Sequence, residues 1–222
     1  MTEMKTLNFY EFAGLIAPGA VTLFGIALLF PASRGALVGE NLSVGEFGLF
    51  TILAFVAGHL IQAFGDVIEA LWWKAWGGMP TDWVRSGKHK LIADAQKQAL
   101  ATHLHRKLNM KGPVKFEEMS TSDWFGITRQ IYAAVGSQER PSVRVDRFNG
   151  NYGLNRGIAA ALIIISVLTF MFRPMHWPIG LLTVVGIALA LYRMHNFGKH
   201  YARELFVQFL QLPEAEIERS DK

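Results

Sequence analysis

Four long stretches of this chain carry no Asp, Glu, Lys or Arg. They are residues 12–31, 47–65, 157–172 and 177–192, and the one histidine inside them is His59. A helix rises about 1.5 Å per residue, so about 20 apolar residues cross the roughly 30 Å hydrocarbon layer of a bilayer, and tilt or snorkelling ends accommodate shorter stretches. The pattern therefore predicts an all-α integral membrane protein with four transmembrane helices, two before and two after a long charged segment.

The charged segment predicts a helical cytoplasmic domain inserted between spans two and three. We expect an N-terminal transmembrane hairpin over residues 1–76, the cytoplasmic domain over 77–152, a C-terminal transmembrane hairpin over 153–194 and a cytoplasmic amphipathic tail helix over 195–222. A domain of about 80 residues is near the lower limit for a self-sufficient core. We therefore expect it to complete its packing with the helix ends or with a second copy.

Apolar spacing and helix breakers predict three helices in this domain. The first covers residues 90–108, the second is capped near Ser122, and the third begins at Pro141 and runs directly into span three. Gly-Gly-Met-Pro at residues 77–80 predicts the end of span two, because glycine and proline both interrupt helices.

Lys and Arg residues are concentrated on one side of the predicted spans. Residues 72–156 carry 14 of the 22 basic residues and the tail after residue 192 carries five more, whereas the two short connections carry only Arg34 and Arg173. Because basic residues near span ends resist translocation, both termini and the inserted domain are predicted to be cytoplasmic. The net charge of +4 matches the anionic inner leaflet, so a nucleic-acid partner is not required.

Four polar side chains of span two lie on one helix face, because they are spaced by three, four and three residues: His59, Gln62, Asp66 and Glu69. Polar groups at membrane depth indicate an interhelical contact, a water-filled path or a relay. The first alternative is that His59 and Gln62 bond to a neighbouring helix while the acids lie in a wet interface. The others are a polar lumen between protomers and a metal or catalytic site. No HxxxH or HExxH spacing supports a metal, and the chain has no cysteine, so we predict neither a metal nor a catalytic residue.

A row of arginines precedes span three. Arg140, Arg144 and Arg147 have i, i+4, i+7 spacing and Arg156 lies at the mouth of the span. Guanidinium groups match phosphate through paired planar donors, which predicts binding of anionic lipid headgroups. A soluble phosphorylated ligand or nucleotide and intersubunit ion pairs are the alternatives.

Small residues and a proline predict close helix packing. Proline frees a backbone carbonyl, which a membrane tolerates where a neighbouring helix or a water satisfies it, and small residues let helices approach. The predicted packing residues are Gly14, Pro18 and Gly19 in span one and Gly150, Gly153 and Gly157 in span three.

Short strings in the chain resemble a known class of protein. Residues 9–12, Phe-Tyr-Glu-Phe, precede Pro18-Gly19, and residues 58–62 read Gly-His-Leu-Ile-Gln. With the two-plus-two arrangement, they resemble small four-span bacterial membrane proteins of anti-phage defence loci, such as the membrane subunit of Kiwa-type systems. The resemblance implies an inner-membrane homo-oligomer with a non-enzymatic, partner-binding or membrane-perturbing role, and no functional residue is carried over from it.

The sequence therefore predicts an oligomeric inner-membrane protein whose cytoplasmic domain binds a ligand or protein partner and couples it to the spans. The expected partners are the bilayer, further copies of the chain, and a cytoplasmic protein or phosphorylated ligand, with no cofactor. An ion channel or transporter component is the alternative function, and a lipid-acting membrane enzyme is a second one.

Overall fold

Every regular element that the computed structural model describes, over residues 9–33, 43–107 and 114–213, is helical. The all-helical prediction is confirmed for these residues. They form seven α-helices: α1 Phe9–Leu29, α2 Val44–Ala75, α3 Pro80–Ser86, α4 Asp94–Lys107, α5 Thr121–Gly136, α6 Glu139–Phe172 and α7 Trp177–Gln211. Short 3-10 helices cover Pro31–Ser33, Phe116–Glu118 and Pro174–His176.

Three of these helices, α2, α6 and α7, are long and apolar enough to cross a membrane. They have 32, 34 and 35 residues. The part of α1 whose side chains the structure describes, Gly14–Leu29, is shorter and also apolar. The structure thus fits a multi-pass membrane protein.

The connection after α2 contains a helix that is not among those predicted from the sequence. Gly77 and Gly78 adopt φ values of 78° and 112°, a region that favours glycine, and they end α2 as predicted. The sequence pattern predicts only a helix breaker at Pro80, but this residue occupies the first turn of α3, where its missing N–H costs no helical hydrogen bond. Gly87, with φ of 66°, then ends α3.

The remaining helix boundaries lie close to those predicted, except that the predicted tail helix is part of a longer helix. Helix α4 begins at Asp94, and α5 is capped by Ser120, whose hydroxyl accepts a hydrogen bond from the Asp123 backbone N–H at 3.0 Å. The predicted tail helix is not a separate element, because α7 continues from Trp177 to Gln211 without a break. No proline or glycine pair lies between span four and the tail to interrupt it.

The chain divides into two compact units. Unit 1 contains Met1–Trp72 and Asn149–Phe197, and unit 2 contains Trp73–Phe148 and Gly198–Lys222. The four segments predicted from the sequence stay a prediction. Helices α2, α6 and α7 each contribute residues to both units.

Unit 1 has a core of small and branched side chains. Ile61 of α2 and the fully buried Ala160 and Ala161 of α6 form its centre. Val21 of α1 and Ile68 of α2 pack against them. Small side chains on α6 bring the neighbouring helices close to its axis, and this makes α6 the most buried of the three long apolar helices.

Unit 2 has an aromatic core. Trp124 of α5 is fully buried, stacks on Phe206 of α7 and donates its indole N–H to the backbone oxygen of Thr81 at 3.0 Å. The Lys107 ammonium donates to the backbone oxygen of Phe209 at 3.2 Å, which satisfies a carbonyl at the end of α7. The last turns of α7 therefore belong to the core of unit 2.

Candidate functional site

The strongest polar constellation in unit 1 is centred on Arg156 of α6. Its Nη1 lies 2.8 Å from Asp66 Oδ1 and also forms an ion pair with Glu69. Its Nη2 and Nε donate to Gln62 Oε1 at 2.9 and 3.3 Å. The spacing of residues 62, 66 and 69 puts all three acceptors on one face of α2, where they match the planar fork of the guanidinium.

The members of this cluster differ in exposure. The side chains of Arg156 and Glu69 are each 20% exposed, whereas that of Asp66 is 64% exposed. One guanidinium against two carboxylates leaves one formal negative charge. The exposed Asp66 carboxylate is therefore the part of the cluster that is open to the surroundings.

The amide nitrogen of Gln62 joins this cluster to α1. Pro18 has no N–H, so the carbonyl of Gly14 loses its helical hydrogen bond. Gln62 Nε2 donates to that oxygen at 2.8 Å and to the backbone oxygen of Gly153 on α6 at 3.3 Å. The neighbouring helix thus satisfies the carbonyl freed by the proline, as a buried backbone in a membrane requires.

Gly157 makes room for this contact. A Cβ added at Gly157 would lie 2.6 Å from Pro18 Cγ and 2.8 Å from Gln62 Nε2. These separations are too short for any side chain. Glycine at position 157 is therefore required for α1, α2 and α6 to meet at the polar cluster.

A second close approach brings α1 against α2. A Cβ at Gly19 would overlap the backbone oxygen of Ala54, and a Cβ at Gly58 would overlap that of Leu15. Gly58 is not among the packing residues predicted from the sequence, although Ala54 and Gly58 form a small-xxx-small pair of the type found at membrane helix contacts.

The other predicted packing glycines have different surroundings. A Cβ added at Gly14 or Gly153 would meet nothing within 4 Å, so these two residues contribute backbone oxygens to the cluster instead of close contact. Gly150 is partly buried near the start of the unit 1 part of α6.

His59 does not join the cluster. Its ring is exposed and lies edge-on to Phe55, with 4.7 Å between ring centroids. Within the described residues it makes no hydrogen bond. The predicted polar face therefore divides into Gln62, Asp66 and Glu69, which contact Arg156, and His59, which points away.

The predicted arginine row divides as well. Arg140, Arg144 and Arg147 are exposed in unit 2, and Arg144 Nε lies 3.1 Å from Glu204 Oε1. Arg156 belongs to unit 1, nine residues further along α6, where its guanidinium faces α2. The structure places Arg156 with the polar face and not with the row, and headgroup binding by the other three arginines stays a prediction.

The geometry of the cluster is that of an interhelical contact. In the residues that the structure describes, no three His, Cys, Asp or Glu side chains converge as ligands of a metal ion would. The amide and carboxylate oxygens near Arg156 are already bonded to its guanidinium. The cluster can hold α1, α2 and α6 together.

Comparison with protein-family models, with curated proteins and with solved structures gives no match for this chain.

Proposed function

We propose that this chain is a four-span protein of the bacterial inner membrane, with both termini and unit 2 in the cytoplasm, that acts as an oligomeric sensor or membrane-perturbing effector. Unit 2 binds a cytoplasmic ligand or protein partner, and its state is coupled to the spans. A role in phage defence, which the sequence resemblance implies, is part of this proposal. The observation that carries the proposal is that α2, α6 and α7 each belong to both units.

The lengths of these helices support the coupling. At about 1.5 Å per residue, 32 to 35 residues extend about 48–52 Å, whereas the hydrocarbon layer is about 30 Å thick. Much of the excess length of α6 and α7 lies in unit 2, where Val145 of α6 and Leu205 and Phe206 of α7 are buried. A change of packing in unit 2 therefore acts on helices that also cross the bilayer.

Helix α1 supplies the fourth span in this proposal. Its 21 residues extend about 32 Å, enough for one crossing. Its weak point, the carbonyl freed by Pro18, is satisfied by Gln62. At the other end of α1, Arg173 Nε donates to the Leu29 backbone oxygen at 2.9 Å. This contact supports placing Arg173 and the end of α1 on the same side of the membrane, the side of the two short connections.

Single cysteines test the topology, because the natural chain has none. Met175, 89% exposed before α7, and Gln98, exposed on α4, provide a matched pair. We expect a membrane-impermeant maleimide to label Met175→Cys in intact spheroplasts and Gln98→Cys only after permeabilisation. The reverse pattern would contradict the proposed orientation.

Membrane potential tests the effector function. We expect cells that express the chain to depolarise after phage challenge. Cells that carry Gln62→Leu, which removes the hydrogen bonds from Gln62 to Gly14 of α1 and Gly153 of α6, should depolarise less at equal protein level. A potential that is unchanged under every challenge would contradict a membrane-perturbing effector.

A further inference from the structure

A cavity of about 180 Å³ lies in unit 2, beside the irregular segment 87–93 that connects α3 to α4. Its apolar lining comes from Trp83 and Val84 of α3 and from Leu91 and Ile92 of the connection, and all four side chains are buried. A cavity of about 150 Å³ is large enough to hold benzene. This cavity therefore fits one ring or one short branched chain with a small group attached, and it is too small for a nucleotide or a peptide.

Basic side chains lie beside this apolar lining. Lys90 and Lys97 line the cavity, together with His89, whose ring centroid is 4.5 Å from that of Trp83. Within the described residues, the lining includes a single carboxylate, that of Asp94. Apolar walls with a few placed polar groups are the usual form of a small-molecule site, and lysine ammonium groups bind carboxylates and phosphates. The lining therefore favours an anionic ligand over a cationic one.

Each of the two lysines is paired with an acidic side chain that is itself exposed. Lys90 Nζ lies 2.9 Å from Asp94 Oδ2, and Lys97 Nζ lies 2.7 Å from Glu117 Oε1. The side chains of Asp94 and Glu117 are 82% and 68% exposed, and exposed ion pairs of this kind contribute little to stability. An anion in the cavity can therefore replace either carboxylate as the partner of a lysine, because water solvates the released carboxylate.

We infer that this cavity is the ligand site of unit 2 and that it binds a small organic anion, a carboxylate or phosphate carried by one ring or one short branched chain. The apolar body of the ligand occupies the space beside Trp83 and Leu91, and its anionic group contacts Lys90 and Lys97. This inference rests on the proposed function and deepens it, because it assigns a site and a chemical class to the ligand proposed for unit 2.

One wall of the cavity is bonded to α7. Leu91 lines the cavity, and its backbone oxygen accepts a hydrogen bond from Arg203 Nε at 3.2 Å. Arg203 lies in the part of α7 that belongs to unit 2, and α7 is one of the three helices shared by the two units. A ligand that fixes the segment 87–93 therefore also fixes a hydrogen-bond partner of α7.

Binding of para-fluorophenyl phosphate tests the site, because this probe combines one ring with one anionic group. The full chain is purified in a neutral detergent, and the fluorine NMR signal of the probe is followed as protein is added, with empty micelles as the blank. We expect saturable binding of the probe and none of para-fluorophenol, which has the ring without the phosphate. Equal binding of the two compounds would overturn the anionic class, and absence of saturable probe binding would overturn the site.

Matched lysine substitutions separate the cavity from a general effect of charge. We expect Lys90→Gln and Lys97→Gln each to weaken probe binding about tenfold, the usual effect of one hydrogen bond to a charged group. Lys115→Gln is the control, because Lys115 forms an exposed ion pair with Glu118 at 2.8 Å and does not line the cavity. It should leave binding unchanged, and equal weakening by all three substitutions would overturn the site. Lys90 is 69% exposed, so its variant keeps the test valid if Lys97→Gln does not fold.

Hydrogen exchange tests the link from the cavity to α7. We expect a saturating concentration of the probe to raise amide protection in residues 198–211 of the natural chain. Arg203→Ala removes the hydrogen bond to Leu91, so it should abolish this increase and leave probe binding unchanged. Unchanged protection of α7 in the natural chain at saturation would overturn the link.

This inference and the proposed function fail separately. A chain that depolarises cells but does not bind the probe would overturn the cavity site and leave the effector function intact. A chain that binds the probe but never changes the membrane potential would overturn the effector function and leave the site intact. Probe binding in phosphatidylcholine nanodiscs that is lost in phosphatidylglycerol nanodiscs would assign the cavity to lipid headgroups and overturn a soluble ligand.

Discussion

Gln62 connects three helices through one amide group. Its oxygen accepts from Arg156 on α6, and its nitrogen donates to the backbone oxygens of Gly14 on α1 and Gly153 on α6. The amide nitrogen supplies the hydrogen-bond donor that the Gly14 carbonyl lacks because Pro18 has no N–H. The amide oxygen supplies an acceptor for the Arg156 guanidinium. No apolar side chain of the same size can do both.

A double-mutant cycle between Gln62 and Pro18 tests this role. Gln62→Leu leaves the Gly14 carbonyl and one side of Arg156 without a partner, so we expect a loss of about 1–3 kcal/mol in the free energy of unfolding. Pro18→Ala returns an N–H that can bond to the Gly14 carbonyl within α1. In the Pro18→Ala background, Gln62→Leu should therefore cost less, by about 1 kcal/mol. Reversible unfolding in mixed micelles gives the four free energies, and additive values would contradict the contact.

The sequence indicated part of this cluster and could not indicate the rest. Pro18 predicts a carbonyl that needs a partner, and Gln62 is anomalous inside an apolar stretch, so each is visible locally. The contact joins the Gly14 carbonyl to Gln62, 48 residues away, and Arg156 contacts Gln62 across 94 residues. Spacing along one helix gives no information on contacts between helices, which is why Arg156 was grouped with the arginines beside it in sequence.

At the scale of helices, α1 and α2 pack so closely that backbone meets backbone. Gly19 and Gly58 allow this approach, because a Cβ on either would overlap the other helix. Packing of this kind depends on the absence of a side chain and not on apolar area. The contact is therefore sensitive to one methyl group.

Two glycine substitutions separate packing from helix propensity. Gly58→Ala must push α1 away from α2, so we expect a loss of about 1–3 kcal/mol in the free energy of unfolding. Gly153→Ala, with open space at its Cβ, should be neutral or stabilising by up to about 1 kcal/mol. Unfolding of both variants in the same micelles provides the comparison. An equal loss in both would show that helix propensity, and not the crossing, sets their effect.

Helix extents were more predictable than helix partners. Gly77 and Gly78 end α2 where local chemistry predicts an end, and Ser120 caps α5 within two residues of the predicted cap. The sequence predicts the tail helix as a separate element because the apolar pattern becomes amphipathic after residue 194. Hydropathy reports whether a helix lies in an apolar or a polar environment, and it does not report where the helix ends. A helix that continues from the first environment into the second is therefore predicted as two helices.

At the scale of the whole molecule, two cores share three helices. Ala160 and Ala161 lie in the core of unit 1, and Leu205 and Phe206 complete the core of unit 2. The two cores differ in chemistry, since the first depends on small residues and polar interhelical contacts and the second on buried aromatic rings. We therefore expect unit 2 to lose its packing under conditions that leave unit 1 folded.

Hydrogen exchange measures this separation. Leu104 of α4 is fully buried in unit 2, and Leu104→Ala should cost about 2–5 kcal/mol there. Because the end of α7 is part of the same core, amide protection should fall in residues 198–211 as well as in α4 and α5, while residues 180–195 of the same helix stay protected. Phe125→Ala, at a 64% exposed position on α5, is the matched control and should leave protection unchanged. Equal loss of protection on both sides of residue 197 would show that the two units unfold together, in which case a change in unit 2 would reach the spans by unfolding them and not by moving a folded helix.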